Sequence, residues 1–521
     1  MRRRLRHVPW FVLIPALLAG IGTVVPIVYL VLRAFDADLA TVSRLVLRER
    51  TLRLLINTLA LTTGVLVTTT LMAVPLAWLA VRSDLRFRRL VTWLAVIPLA
   101  IPGYVVAYAL IGLGGHNGLM AQLFDLNVAR PRGYWGATVA LSMYTFPYLF
   151  LNVRAALMGL DPSLEESARS LGLGGREIVR RVVLPQLRPA LLAGWLVIAL
   201  YVLGDFGVVA LMRFEAFSYA IYLQYSAAFD RVYAAWLSLM LLAMTLGIVI
   251  AEARLLGARR YARIGSGAQR AVVVTRLGRW APLAHGYVWL VLLASLGLPI
   301  IVLTYWMALV PPDLTAWRAV GVAFLRTASV AVPTALLATA VAIPVAYMSA
   351  RVRMRGGRVI ERLAYLGYAI PPVSLALAMV FFALRSAPWL YQTVPLLIAA
   401  YVIGFLALAI GPIRSAVLQV PARIEEAATS LGRRRFTAFW QVVFPVVRRP
   451  VIAATALVLM VTMKELPITF LLGPTGFTTL AVSVFSRTSE GMMAAAAPFA
   501  AAIVLFSSLF VGLLISYEGR R

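Results

Sequence analysis

The sequence predicts an all-α polytopic membrane protein with about twelve spanning helices in two tandem six-helix repeats. Three observations carry this. Of 521 residues, 62% are apolar and only 13% charged, about half the charged share of a soluble globular domain. A dozen helices of roughly 20 apolar residues need about 240 residues, so the length holds twelve crossings plus loops and leaves little for a separate soluble domain. The second half of the chain also repeats the pattern of the first.

Apolar runs between charged punctuation mark the spans in order at about 10–32, 54–81, 91–113, 136–157, 189–212, 232–252, 282–309, 321–349, 363–384, 394–413, 451–472 and 494–516. The first follows Met1-Arg-Arg-Arg-Leu-Arg-His7 and resembles a secretory signal, but its apolar part is too long for one, so it reads as an uncleaved span. With the N-terminus inside, the predicted cytoplasmic segments hold 35 of the 48 arginines, which orients the chain with both termini cytoplasmic. The net charge of +29 is thereby assigned to a membrane setting. A nucleic-acid partner is not expected, because such domains cluster basic residues on a water-facing surface between short apolar runs. Trp10 and Trp389, near span ends, fit an interfacial belt. Met492-Met493 and Ala494 to Ala497 fit close helix packing.

The composition also narrows the chemistry. Cysteine is absent, which excludes disulfides, thiolate metal ligands and a Cys nucleophile. The three histidines, His7, His116 and His285, have no metal-binding spacing, so neither a catalytic residue nor a metal ligand is assigned in this chain.

Internal repetition defines the organisation. Asn57-Thr58 to Arg82, with Pro75, Ala77 and Trp78, aligns at an offset of 269 on Arg326-Thr327 to Arg351, with Pro344, Ala346 and Tyr347. Ile101-Pro102 falls on Ile370-Pro371 at the same offset. The loop from Gly114 to Arg132 makes the first half nine residues longer there, and the offset becomes 260 beyond it. Equal, even numbers of spans give the halves the same orientation, related by an axis along the membrane normal. The expected organisation is a first repeat over 1–255 with a cytoplasmic loop at 160–188, an Arg-rich linker over 256–281, and a second repeat over 282–521 with a loop at 420–449.

Those two loops are the most informative segments. The first reads Asp161-Pro-Ser-Leu-Glu165-Glu166-Ser-Ala168-Arg-Ser-Leu-Gly172 and runs on to Leu184-Pro185; the second reads Val420-Pro-Ala-Arg-Ile-Glu425-Glu426-Ala-Ala428-Thr-Ser-Leu-Gly432 and runs on to Phe444-Pro445. Each predicts a short helix, a Gly turn, a second short helix and a stop at the proline. Asp161 suits an N-cap with Pro162 at the first helical position, and the paired acids favour the positive end of the helix dipole. Gly172 and Gly432 suit the left-handed residue that ends a helix, and Pro185 and Pro445 cannot extend a hydrogen-bond ladder. Helices this short are marginal alone in water, so their duplication points to docking on something.

Glu166-Ser-Ala-x3-Gly172 with Leu184-Pro185, and Glu426-Ala-Ala-x3-Gly432 with Phe444-Pro445, resemble the EAA loop of the membrane subunits of binding-protein-dependent ABC importers. Ser167 and Phe444 depart mildly from that pattern. The resemblance implies a type I ABC importer-like fold, in which each loop presents a coupling helix to a cytoplasmic ATPase subunit. It also implies two ATPase copies per chain, an extracytoplasmic substrate-binding protein, and a bacterial inner-membrane location. Glu166 and Glu426 would be the docking carboxylates, within a coupling set that also holds Glu165, Ala168, Gly172, Pro185, Glu425, Ala428, Gly432 and Pro445. The chain has no Gly-x4-Gly-Lys-Ser/Thr phosphate loop, and Lys464 is its only lysine. ATP and Mg therefore belong to the partner, and no cofactor is expected here.

Ionisable residues inside spans cost roughly 2.5–3.5 kcal/mol on insertion scales and mark pathway candidates. Asp205, in Leu203-Gly-Asp-Phe-Gly207, and Glu465, in Met463-Lys464-Glu-Leu-Pro467, align at the 260 offset in the spans that follow the two loops. They either pair locally or face a cationic cargo. Lys464, an i,i+1 neighbour of Glu465, points elsewhere on a helix. These segments resemble the fused permeases of ferric-iron importers, with fused thiamine permeases as the nearest alternative cargo class. No Tyr/His/carboxylate cluster able to hold bare iron is visible in the sequence. A secondary carrier with six plus six spans is the rival from another class, but a gradient-driven carrier has no use for two docking helices. A membrane enzyme is disfavoured by the lack of a catalytic constellation.

Overall fold

The computed structural model describes residues 10–256, 274–311, 314–351 and 365–518. The N-terminal arginines and the linker centre Gly265-Ser266-Gly267 lie outside the described residues. Within them every predicted span coincides with a helix, and the only β-type pairing is an isolated bridge between Ser83 and Thr275.

Nine helices among the described residues are long and apolar enough to cross a membrane. A tenth is reached if span 3, Arg88–Ala100 plus Gly103–Leu113, bent by 95°, is counted as one. Two predicted spans fall short of that test for different reasons. Span 4, Gly133–Gly159, has 27 residues but is less apolar. Its middle, from Ala140 to Pro147, is buried throughout, so packing against protein rather than lipid lets it carry Thr138, Ser142 and Thr145. In span 9 the described helix is the 15-residue Pro372–Ser386.

Repetition is visible in the packing. Span 2 (Glu49–Arg82) lies along span 4, and its counterpart span 8 (Leu314–Arg351) lies along span 10 (Val394–Gln419). The opening spans cross over: span 1 (Trp10–Ala34) packs on spans 8 and 9, while span 7 (Gly278–Ala308) packs on span 3. Trp306 Nε1 donates to Gly112 O at 3.2 Å, and Tyr287 Oη to Leu71 O at 2.7 Å, both from the second half to the first.

The repeated Thr58 and Thr327 have a shared task. Thr58 Oγ1 accepts from Phe217 N at 3.1 Å, and Thr327 Oγ1 accepts from Leu480 N at 3.0 Å. Each holds the start of a short helix, Phe217–Ser226 or Leu480–Ser489. Each hydroxyl also donates to its own helix one turn back, at 2.8 Å and 2.7 Å. A buried polar side chain is thereby satisfied in an apolar setting. Asn57 and Arg326 add side-chain bonds to Glu215 O and Gly476 O at 3.0 Å and 2.8 Å.

Candidate functional site

The loop helices form where the sequence places them, at Pro162–Ser170 and Ala422–Ser430. Their starts differ: Asp161 caps the first, accepting from Ser163 N at 3.0 Å, whereas the second begins after Pro421 without a side-chain cap. Their ends match. Gly172 and Gly432 both sit at φ +83°, a left-handed conformation that costs a non-Gly residue roughly 1–2 kcal/mol. Leu173 N and Arg433 N reach back to Ala168 O and Ala428 O at 3.1 Å and 3.2 Å, while Gly172 N and Gly432 N bond Arg169 O and Thr429 O. This is a Schellman closure in both halves, and it gives Ala168 and Ala428 their role: their carbonyls take the closing bond.

The predicted stop at Pro185 and Pro445 is corrected by the structure. The helices that start after the Gly turns continue through the prolines as single helices, Gly175–Gly204 and Phe436–Met463. A π-helical turn at Val179–Val183, repeated at Phe439–Val443, makes this possible. Leu184 N bonds Val179 O, and Phe444 N bonds Phe439 O. The longer i→i+5 ring shifts the ladder register by one residue, so the pyrrolidine and its missing N–H fall where no i−4 bond is needed. Each loop is thus joined to its span without a break.

Glu165 and Glu425 do not face outward with their neighbours. Arg82 NH1, at the end of span 2, donates to Glu165 Oε1 at 2.6 Å, with the side chains 3% and 7% exposed. At the equivalent place Arg351 Nε lies 3.5 Å from Glu425 Oε2, Arg351 also donates to Val420 O at 2.7 Å, and Tyr347 Oη bonds Glu425 Oε1. These acids tie the loop helices to the membrane body. Glu166 and Glu426, one residue on, are exposed, as a docking role requires.

Spans 5 and 11 break at Asp205 and Glu465. Span 5 ends at Gly204 and resumes as Gly207–Leu211; span 11 ends at Met463 and resumes as Pro467–Leu472. Both acids cap the new helices. Asp205 Oδ1 accepts from Val208 N at 2.8 Å, and Glu465 accepts from Ile468 N at 2.8 Å and Thr469 N at 3.3 Å. Tyr144 Oη donates to Asp205 Oδ2 at 3.1 Å. Lys464 points away from Glu465, with Nζ donating to Leu99 O of span 3, in the first half, at 3.0 Å.

The broken segments converge. Ile101-Pro102 and Ile370-Pro371 interrupt spans 3 and 9, and all four breaks border one cavity of about 200 Å³ between the halves. Irregular backbone at membrane depth is tolerated where it is buried in protein or lines a cavity. Asp205, Lys464 and Glu465 are in its wall, with Tyr104, Tyr144, Tyr148, Tyr201 and Tyr368. Tyr148 and Tyr201 stack with centroids 4.8 Å apart. Tyr104 Oη is buried without a hydrogen-bond partner among the described residues. Sequence reading found the two carboxylates but missed the phenols around them, because the group is drawn from five spans, 3, 4, 5, 9 and 11, and only Tyr144 with Tyr148 and Tyr201 with Asp205 are spaced i,i+4. Among the described residues no group of three or more His, Asp and Glu side chains forms a metal site. Beyond the breaks, Phe206 of the first half meets Phe470 and Phe485 of the second at 6.0 Å and 5.3 Å.

A cavity between the halves and a tethered loop helix on each fit a transport permease. The chain belongs to the family of binding-protein-dependent transport system inner membrane components, whose model matches residues 70–261 and 342–518, once in each half. It is 32% identical over 520 residues to the Fe(3+)-transport system permease protein FbpB 2 of Haemophilus influenzae, covering 98% of this chain and 99% of that one. The ferric transport system permease protein FbpB of Actinobacillus pleuropneumoniae is 22% identical over 69% of this chain and 56% of its own. The molybdenum transport system permease protein ModB of Escherichia coli is 32% identical over 25% of this chain and 58% of its own. The protein is thus a multi-pass inner-membrane permease subunit of an ABC importer.

Proposed function

We propose that this permease carries Fe(III), received from an extracytoplasmic binding protein, through the cavity between its halves, driven by two copies of a cytoplasmic ATPase. One observation carries the cargo reading: the full-length similarity to a ferric permease coincides with a cavity walled by phenols and carboxylates. These are hard oxygen donors of the kind that hard cations take. The unpartnered Tyr104 hydroxyl is free to bond a passing, partly hydrated ion. The remaining tyrosines and Asp205 are already bonded to one another, which suits passage better than retention.

The ATPases would dock on the exposed faces of the loop helices through Glu166 and Glu426, with both termini on the same cytoplasmic side. Nucleotide and Mg would sit on the ATPases, and this chain would supply only mechanical response. A push on a loop helix would pass through the tethered Arg82–Glu165 or Arg351–Glu425 contact into span 2 or 8. It would also pass through the unbroken π-turn helix to the break at Asp205 or Glu465.

Reconstitution with its ATPase and binding protein in sealed vesicles tests the cargo. Labelled Fe(III) is expected to accumulate on addition of ATP, with thiamine at background. Accumulation of thiamine and not of iron would overturn the assignment.

A further inference from the structure

A second cavity, of about 490 Å³, lies at the end of span 2 and the start of span 3. Its wall includes Arg88 and Arg89 from the start of span 3, Arg154 from the last turns of span 4, Thr92 and Trp93. Among the described residues none of the three guanidinium groups has an acidic partner within ion-pair distance. Beside them Phe87, Leu90 and Trp93 are 61%, 48% and 48% exposed. Basic groups with exposed aromatic and aliphatic side chains at one level of a span end match the membrane–water interface.

We propose that this pocket binds the phosphate of an anionic phospholipid headgroup. Arginine matches phosphate oxygens through its planar fork, and basic pockets between spans on the cytoplasmic side take such headgroups. The apolar exposure at Leu90 and Trp93 favours a lipid, whose chains would cover it, over free phosphate or an acidic patch on the ATPase. In sequence the second half keeps part of this set, with Arg414 at the 260 offset from Arg154. At the 269 offset the second half carries Gly357 and Arg358 in place of Arg88 and Arg89, and Glu361 and Arg362 in place of Thr92 and Trp93, so an acid enters the equivalent stretch. A bound headgroup would brace the turn that follows Arg82, which is also where Thr275 N bonds Arg82 O at 2.8 Å and Leu277 N bonds Asp84 Oδ1 at 2.9 Å.

The cytoplasmic placement of the pocket rests on the orientation proposed above. Binding in detergent does not depend on that orientation, so the two fail separately. Because the chain has no cysteine, labelling of S170C from outside intact cells checks the orientation alone. The test is native mass spectrometry of the purified full chain with phosphatidylglycerol, phosphatidylcholine and inorganic phosphate. Phosphatidylglycerol is expected to be retained in preference to phosphatidylcholine, and the preference to fall about fivefold for each arginine removed in Arg154→Gln and Arg88→Gln/Arg89→Gln. The triple lysine variant, which keeps the charge, should retain most of it. Equal retention of both lipids, unchanged retention in the triple glutamine variant, or binding of inorganic phosphate without lipid would overturn the proposal. Should the triple variant not fold, Arg154→Gln alone decides it.

Discussion

Arg82→Ala is expected to release the first loop helix from the membrane body and to abolish ATP-driven uptake while span insertion persists. Arg82 and Glu165 are both almost fully buried and bonded at 2.6 Å. Removing one partner leaves the other charge buried without compensation, which costs about 3–5 kcal/mol. That shifts the docked population of Pro162–Ser170 by more than about 100-fold. Hydrogen exchange over residues 162–170, read beside uptake, checks it. The equivalent Arg351→Ala should act more mildly. That pair is longer at 3.5 Å and more exposed, and Glu425 keeps its bond from Tyr347. Arg82→Met with Glu165→Met should restore much of the order, because an apolar pair of similar volume removes both buried charges. Unchanged exchange and uptake in Arg82→Ala would show that this contact does not carry the loop.

Asp205→Ala with Glu465→Ala is expected to collapse the cavity wall, whereas Asp205→Asn with Glu465→Gln should preserve the fold and slow iron passage. The two pairs separate the two tasks of each acid. Alanine removes the acceptors for Val208 N, Ile468 N and Thr469 N. A lost cap costs about 1 kcal/mol in water and several kcal/mol where no water replaces the bond. Asp205→Asn keeps the acceptor for Val208 N, and Glu465→Gln keeps one for Ile468 N while giving up the longer 3.3 Å bond from Thr469 N, so a loss of rate at unchanged thermal unfolding reports electrostatic contact with the cargo. The measurement is thermal unfolding of the purified chain together with iron uptake in vesicles. Amide variants that transport as fast as the unsubstituted chain would reduce both acids to capping alone.

The large elements were legible because they follow from periodicity and repetition. Each of the twelve apolar runs corresponds to a helix, and Gly172 and Gly432 adopt the predicted left-handed turn. Three features were not legible, each for a physical reason. Proline chemistry argues for a stop at Pro185 and Pro445, yet a π turn supplies a register shift that no single residue type announces. Two adjacent acids look alike in sequence, but the 100° step of a helix turns Glu165 to Arg82 and Glu166 to solvent. The tyrosine wall required tertiary folding to assemble, since Tyr104, Tyr201 and Tyr368 come from different spans. The aligned acids Asp205 and Glu465 were found by the offset, and the structure adds that each accepts from backbone N–H groups of the helix that follows it.

On the proposed function, the two exposed loop acids Glu166 and Glu426 receive the ATPase stroke that opens the cavity. The direct measurement is ATP-driven iron uptake in vesicles holding the ATPase and binding protein, comparing the unsubstituted chain with Glu166→Lys/Glu426→Lys. The expected result is uptake that requires ATP and falls to background in the double variant, with the variant still inserted and monodisperse. Full uptake in that variant, or accumulation driven by a proton or sodium gradient without the ATPase, would contradict it.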